Sequence, residues 1–255
     1  SHADLRNADF TDANLTKTNF QRAKMNRATE IDDKRYLIWQ VVSGKADKNL
    51  QNADLSDANL QNAPLEEFNL TGANLAGASL RAVSLTNADL SDADLTNADL
   101  SDANLKDVKL NDATKLDDKW RLVWEIVNVG AAGRDLTNVD LSHANLKEVN
   151  LNEADLSGAN LSNANLNAAN LTDANLSGAN LNRANLTDAN LSGANLSAAY
   201  LVGVYLYRAN LKNANLSDAN LQEGNLWGAK MQGVNLQNAD LKQCTLPQNY
   251  RRLGR

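Results

Sequence analysis

From Leu151 to Leu241 an apolar side chain, leucine or methionine throughout, returns at every fifth residue. With that residue as position i, i−2 is small and mostly Ala, i−1 is mostly Asn or Asp, and i+1 and i+2 are polar or Gly. A short fixed period marks a stacked repeat. A helix turns about 100° per residue, so leucines five apart would point in every direction. A straight strand alternates its faces, so an odd spacing would send successive leucines to opposite sides. The remaining solution is a short extended run from i−2 to i with both ends inward, then a corner at i+1 and i+2. Gly72, Gly77, Gly158, Gly178 and Gly193 all fall at i+2, where a corner needs positive φ. The pattern predicts an all-β solenoid with a leucine column flanked by an alanine column, the design of a quasi-one-dimensional protein.

The repeats fall in blocks at 1–30, 46–115 and 134–246, followed by a tail at 247–255. Pro64 at i−1 and Phe68 at i−2 break the pattern and predict a bulged corner. Between the blocks the period changes. Ile31, Leu37, Ile38, Val41 and Val42 share one helical face. Asp32 or Asp33 suits an N-cap and Gly44 a C-terminal stop, which predicts an amphipathic helix over about 31–44. Ala28-Thr29-Glu30-Ile31-Asp32-Asp33-Lys34 is echoed by Ala113-Thr114-Lys115-Leu116-Asp117-Asp118-Lys119, so a second helix is expected over about 116–130. Each carries a tryptophan, Trp39 or Trp124, at the margin of its apolar stripe. Either the stripe packs on the coil, or the tryptophans stay partly exposed for a partner.

Ala154-Asp155-Leu156-Ser157-Gly158 and Ala174-Asn175-Leu176-Ser177-Gly178 match the motif A(D/N)LXX, and the chain closely resembles the pentapeptide-repeat family. With its two inserted helices it looks like a member of the cyanobacterial type. The resemblance implies a right-handed quadrilateral β-helix, here a single solenoid over 1–255.

Net charge is −6, distributed as +2 over 1–45, −7 over 46–115, −1 over 116–133 and 0 over 134–255. An acidic centre without clustered Lys and Arg argues against direct nucleic-acid binding. No apolar run approaches the roughly 20 residues of a membrane span. Cytoplasm is the favoured compartment, with periplasm or thylakoid lumen following if a leader has been removed.

No catalytic constellation, cofactor motif or metal cluster emerges. His2 and His143 are the only histidines, and His143 falls outward on a corner. Cys244 replaces Ala at the small inward position and reads as a spacer. Triplets such as Asn160-Leu161-Ser162 match a glycosylation sequon only because the repeat generates them. Asp92, Asp94 and Asn97 lack the glycine turn and closing Glu of a calcium loop. Two surface features remain. Tyr200 and Tyr205 at i−1, with Tyr207 and Trp227 at i+1, predict an exposed aromatic patch in which Tyr207 and Trp227 stack if a coil has twenty residues. Asp92 and Asp112 at i+2, with Asp102 and Asp107 on other corners, predict an acidic edge. Together these readings favour a non-enzymatic scaffold for another protein. The alternative is a branch of the resembled family whose acidic members imitate DNA and bind DNA gyrase. The neutral third block and the basic tail, with Arg251, Arg252 and Arg255, depart from that branch.

Overall fold

The computed structural model describes residues 3–248. The chain forms two compact units, Ser1–Trp124 and Glu125–Arg255. Within each, it winds as a right-handed quadrilateral β-helix. In the first unit, parallel bridges join residues twenty apart, as in Asn49↔Asn69 and Asn69↔Asp89. In the second, the same spacing runs from Asp135↔Asp155 to Asn225↔Thr245. A coil is thus four repeats, one per side. Position i points to the axis: Leu55, Leu75, Leu176 and Leu196 are fully buried, as is Ala174 at i−2.

The fate of each amide explains the remaining letters of the motif. In the repeat 174–178, the Ala174 N–H donates to Leu171 O across the corner at 3.2 Å. Asn175 N–H donates to Ala154 O in one neighbouring coil, and Leu176 N–H to Asn195 O in the other, at 2.9 and 2.6 Å. Gly178 N–H reaches Ser197 O at 2.9 Å. That leaves the i+1 amide of Ser177, which no carbonyl meets. The Asn175 side chain accepts it at 3.2 Å in an Asx turn. A buried or half-buried backbone amide needs a partner, which favours a short side-chain acceptor at i−1. Asn adds a second bond, because its free amide donates down the stack. Asn235, Asn215, Asn195 and Asn175 form such a ladder, which ends on the Asp155 carboxylate.

The i+2 residue takes positive φ whatever its identity, as at Asp57 (54°), Asn163 (58°) and Arg183 (58°). Each such residue costs on the order of 1 kcal/mol, a strain held in place by the ladders on either side. Glycine relieves it at Gly77, where φ is 67° and a Cβ would lie 2.7 Å from Asp57 Oδ1 of the adjoining coil.

Two helices interrupt the coil, α1 (Asp33–Val42) and α2 (Asp118–Asn128). Each is shorter by a few residues than the sequence predicts. Asp32 caps α1 by accepting the Arg35 N–H at 3.0 Å, and Gly44 at φ 67° ends it. Before each helix one residue is inserted, so Asp9 bridges Glu30 and Asp94 bridges Lys115, both twenty-one apart. The buried Thr29 and Thr114 fill the inserted turns and donate to Leu5 O and Leu90 O, each at 3.0 Å. The helices also deprive a carbonyl of its usual partner. Ala23 O would ordinarily accept from Gly44, and Val108 O from Val129. Instead those amides bond inside the helix ends, to Val41 O and Glu125 O. The indole N–H of Trp39 donates to Ala23 O at 2.9 Å and that of Trp124 to Val108 O at 2.7 Å. Each tryptophan therefore stands in for a missing ladder amide.

Pro64 does not produce the expected bulge. It bridges Ser84 in register, Phe68 is buried, and Glu67 keeps the ordinary corner φ of 64°. On the other side of Pro64 lies the end of the α1 detour, where Gly44 approaches its ring, and not a regular strand. A missing N–H is therefore harmless there. Tyr250 and Leu253 of the tail, the residues the sequence offers to cover the last coil, lie outside the described residues.

The inward assignment has a direct consequence. Leu176→Ala should cost about 2–5 kcal/mol, whereas Ser177→Ala should cost less than about 0.5 kcal/mol. Urea denaturation followed by circular dichroism distinguishes the two, and equal midpoints would contradict a buried position i.

Candidate interaction surface

The four aromatics expected to face outward in the second unit do so. Tyr200 is 56% exposed, Tyr205 52%, Tyr207 37% and Trp227 39%. Tyr200 and Tyr205 lie on adjacent sides of one coil, bridged to Asn180 and Asn220 and to Asn185 and Asn225. Tyr207 occupies the corner after Tyr205, and Trp227 the same corner one coil on, because Asp188 N–H bonds Tyr207 O and Arg208 N–H bonds Trp227 O. The expected stacking is one of position only. The Tyr207 ring is met by Arg208, whose guanidinium carbon is 5.9 Å from the ring centroid, and not by the indole.

Both tyrosines break the rule that builds the coil. At i−1 each replaces the Asn whose side chain would accept the i+1 amide and continue the ladder. The ladders Asn180–Asn160–Asp140 and Asn185–Asn165–Asn145 both stop at this coil. The Val202 amide, deprived of its acceptor, turns to Asn182 Oδ1 of the adjoining coil at 2.8 Å. Replacing an Asx acceptor by a half-exposed ring removes a bond and leaves much of an aromatic face in water. Local violations of this kind in an otherwise consistent fold concentrate at functional sites.

Cations surround the patch, and the sequence reading missed them. Arg183 stands on the corner between the sides of Tyr200 and Tyr205, and its Cγ lies 3.5 Å from the Cβ position of Gly203. It is exposed, and its guanidinium makes no hydrogen bond or ion pair among the described residues. Arg208, on the next corner, leans in the same way toward Gly228 and pairs with Asp188 at 2.9 Å. Lys230, exposed, replaces Asn at i−1 on the side following Trp227 and bridges Asn210. Between residues 135 and 246 the only arginines are Arg183 and Arg208, and the only Tyr, Trp or Phe residues are these four. All six gather here. Plotting Arg on the twenty-residue coil would have revealed this.

The other expected surfaces fare differently. Trp39 is 3% exposed and Trp124 is part-buried, with both indole N–H groups engaged. The packing alternative describes α1, and Trp39 has no free face for a partner. The acidic edge does not assemble as expected either. The inserted residue puts Asn111, not Asp112, beside Asp92, where the two exchange bonds of 3.0 Å. Asp102 faces Arg81 at 3.4 Å, while Asp107 and Asp112 lie exposed on separate corners. Nearby, Lys115 and Thr96 hold the Asp94 carboxyl down at about 2. Cys244 is half-buried, donates to Leu221 O, and has its thiol pushed up by burial. His143 takes a corner φ of 57° near Asn163. Among the described residues, no His, Cys, Asp and Glu group could hold a metal ion, and no helix is long and apolar enough to cross a membrane.

A family model described as pentapeptide repeats matches in eight copies, over residues 1–29, 46–72, 73–112, 135–173, 169–208 and 209–246. The chain is similar to HetL, a pentapeptide repeat protein involved in heterocyst differentiation regulation from the cyanobacterium Nostoc sp. strain PCC 7120. Identity is 31% over 78% of this chain and 90% of that one, with a TM-score of 0.28. It is also similar to Rfr23, a pentapeptide repeat protein from the cyanobacterium Cyanothece 51142, at 33% identity over 46% of this chain and 87% of that one, TM-score 0.30. QnrB1, a plasmid-mediated fluoroquinolone resistance protein, matches at 19% identity over 72% of this chain and 92% of that one, TM-score 0.24. No curated protein matches the chain.

If the tyrosines displace stabilising amides, restoring the motif should strengthen the fold. The double substitution Tyr200→Asn/Tyr205→Asn should raise stability by about 1 kcal/mol through the restored side-chain bonds, read as a higher urea midpoint. A lower midpoint would show that the rings contribute more by packing than they remove.

Proposed function

The chain belongs to the pentapeptide-repeat family, and on that premise we propose that it is a non-enzymatic scaffold that docks another protein through the aromatic patch of its second unit. One observation carries the reading: every Tyr and Trp and both arginines between residues 135 and 246 collect on three successive coils. Trp, Tyr and Arg are the residues that dominate binding energy at protein interfaces. Tyr and Trp bring rigid contact area with few rotatable bonds, so ordering them on binding costs little entropy. The surrounding Asn-lined sides supply a polar rim.

Imitation of DNA is the weaker reading. A DNA mimic must present unpaired negative charge, yet carboxylates of the acidic block carry basic partners. Lys34 meets Asp54 at 2.9 Å, Lys48 meets Glu67 at 2.6 Å and Lys115 meets Asp94 at 2.8 Å.

Site-specific photocrosslinking tests the docking reading. A benzophenone amino acid at position 207 or 227 should crosslink one protein in extracts of the source organism, whereas the same probe at position 167, on the same corner column two coils away from Tyr207, should not. Crosslinks of equal yield at all three positions would remove the patch from its proposed role.

A further inference from the structure

We infer that the partner presents an acidic peptide segment, with a carboxylate seated on Arg183 between Tyr200 and Tyr205. This rests on the docking reading and specifies the chemistry of what docks. The chain as a whole carries −6, yet the patch has the opposite balance. Arg183, Arg208 and Lys230 stand against Asp188, which is taken by Arg208 at 2.9 Å, and Glu223, which lies in the corner column beyond Gly203. The guanidinium of Arg183 is left without an anion. Arginine is suited to that vacancy because its planar fork holds a carboxylate through two parallel bonds. The glycine at 203 leaves the corner above its stem without a side chain, so a peptide can approach from that side. The flanking rings, 56% and 52% exposed, would cover apolar neighbours of the bound carboxylate and exclude water from the pair, which strengthens it. A basic segment would meet unpaired positive charge at Arg183 and Lys230 and be repelled.

Three fluorescein-labelled peptides of one length test this by anisotropy against the full chain. In each, Leu and Phe alternate with one polar residue, which is Glu, Gln or Lys. The Glu peptide should bind about tenfold more tightly than the Gln peptide, and should weaken with added salt. The Lys peptide should not bind. Arg183→Glu should bring the Glu peptide down to the Gln level or below, and Tyr200→Asn/Tyr205→Asn should weaken both. Equal binding of Glu and Gln peptides, unaffected by Arg183→Glu yet lost in the tyrosine variant, would overturn the acidic assignment and leave the docking surface intact. Binding of none of the three, or binding that the tyrosine variant does not weaken, would overturn both. Tighter binding of a labelled oligothymidylate than of the Glu peptide would also overturn the inference.

Discussion

The coil depends on one backbone amide that the backbone cannot satisfy. In an interior repeat such as 174–178, four of the five N–H groups find carbonyls, in the preceding side or in the coils on either hand. The fifth, at i+1, leaves the corner pointing away from every carbonyl. A side-chain oxygen at i−1 is the nearest available acceptor, and Asn or Asp places it at the right reach. From Thr11 to Lys242, i+1 amides bond the Asp or Asn two residues earlier, as Thr11 does to Asp9 at 2.8 Å and Lys242 to Asp240 at 3.0 Å. Hydrophobic burial of leucine makes the coil worth closing. The Asx turn lets it close without an orphaned donor.

Single residues such as Pro64 and Lys230 at i−1 depart from this rule, and two larger departures differ in how the lost bonds are treated. At α1 and α2 the coil is broken and its lost bonds are replaced. Threonine hydroxyls fill the inserted turns, and indole N–H groups reach Ala23 O and Val108 O. The replacement is the same in both places, as expected of a duplicated module. At Tyr200 and Tyr205 the coil continues but its side-chain bonds are given up, with a partial substitute only at Val202. Repair in one case and sacrifice in the other distinguishes the two departures. The rings are about half exposed, beside an arginine whose guanidinium meets no anion among the described residues.

Much of this was legible in the sequence, because a period of five with leucine inward admits few geometries. The position of the patch followed from the same arithmetic. What escaped the reading was set by atoms that composition does not reveal. The indole N–H of Trp39 fixes its ring against the coil, deciding between the packing and the partial exposure that its place at the edge of the apolar stripe left open. The inserted residue ahead of α2 moves Asp112 out of the Asp92 column, a shift of one position that charge counting cannot register. The corner conformation was inferred from glycines, yet Arg183 and Arg208 adopt it too, and so their clustering around Tyr205 was overlooked.

The central claim is that the i+1 amide depends on a side-chain acceptor, ordinarily the Asn or Asp at i−1. Thr187, Tyr207 and Trp227 occupy one corner column on successive coils, preceded by Asn185, Tyr205 and Asn225. Thr187 and Trp227 N–H groups donate to those Asn side chains, both at 3.1 Å, while Tyr205 offers Tyr207 no such acceptor. Amide hydrogen exchange at residue resolution should find Tyr207 exchanging about tenfold faster than its two neighbours in the column. Equal protection at all three positions would mean that the carboxamide is dispensable, and the account of both the motif and its exceptions would fail.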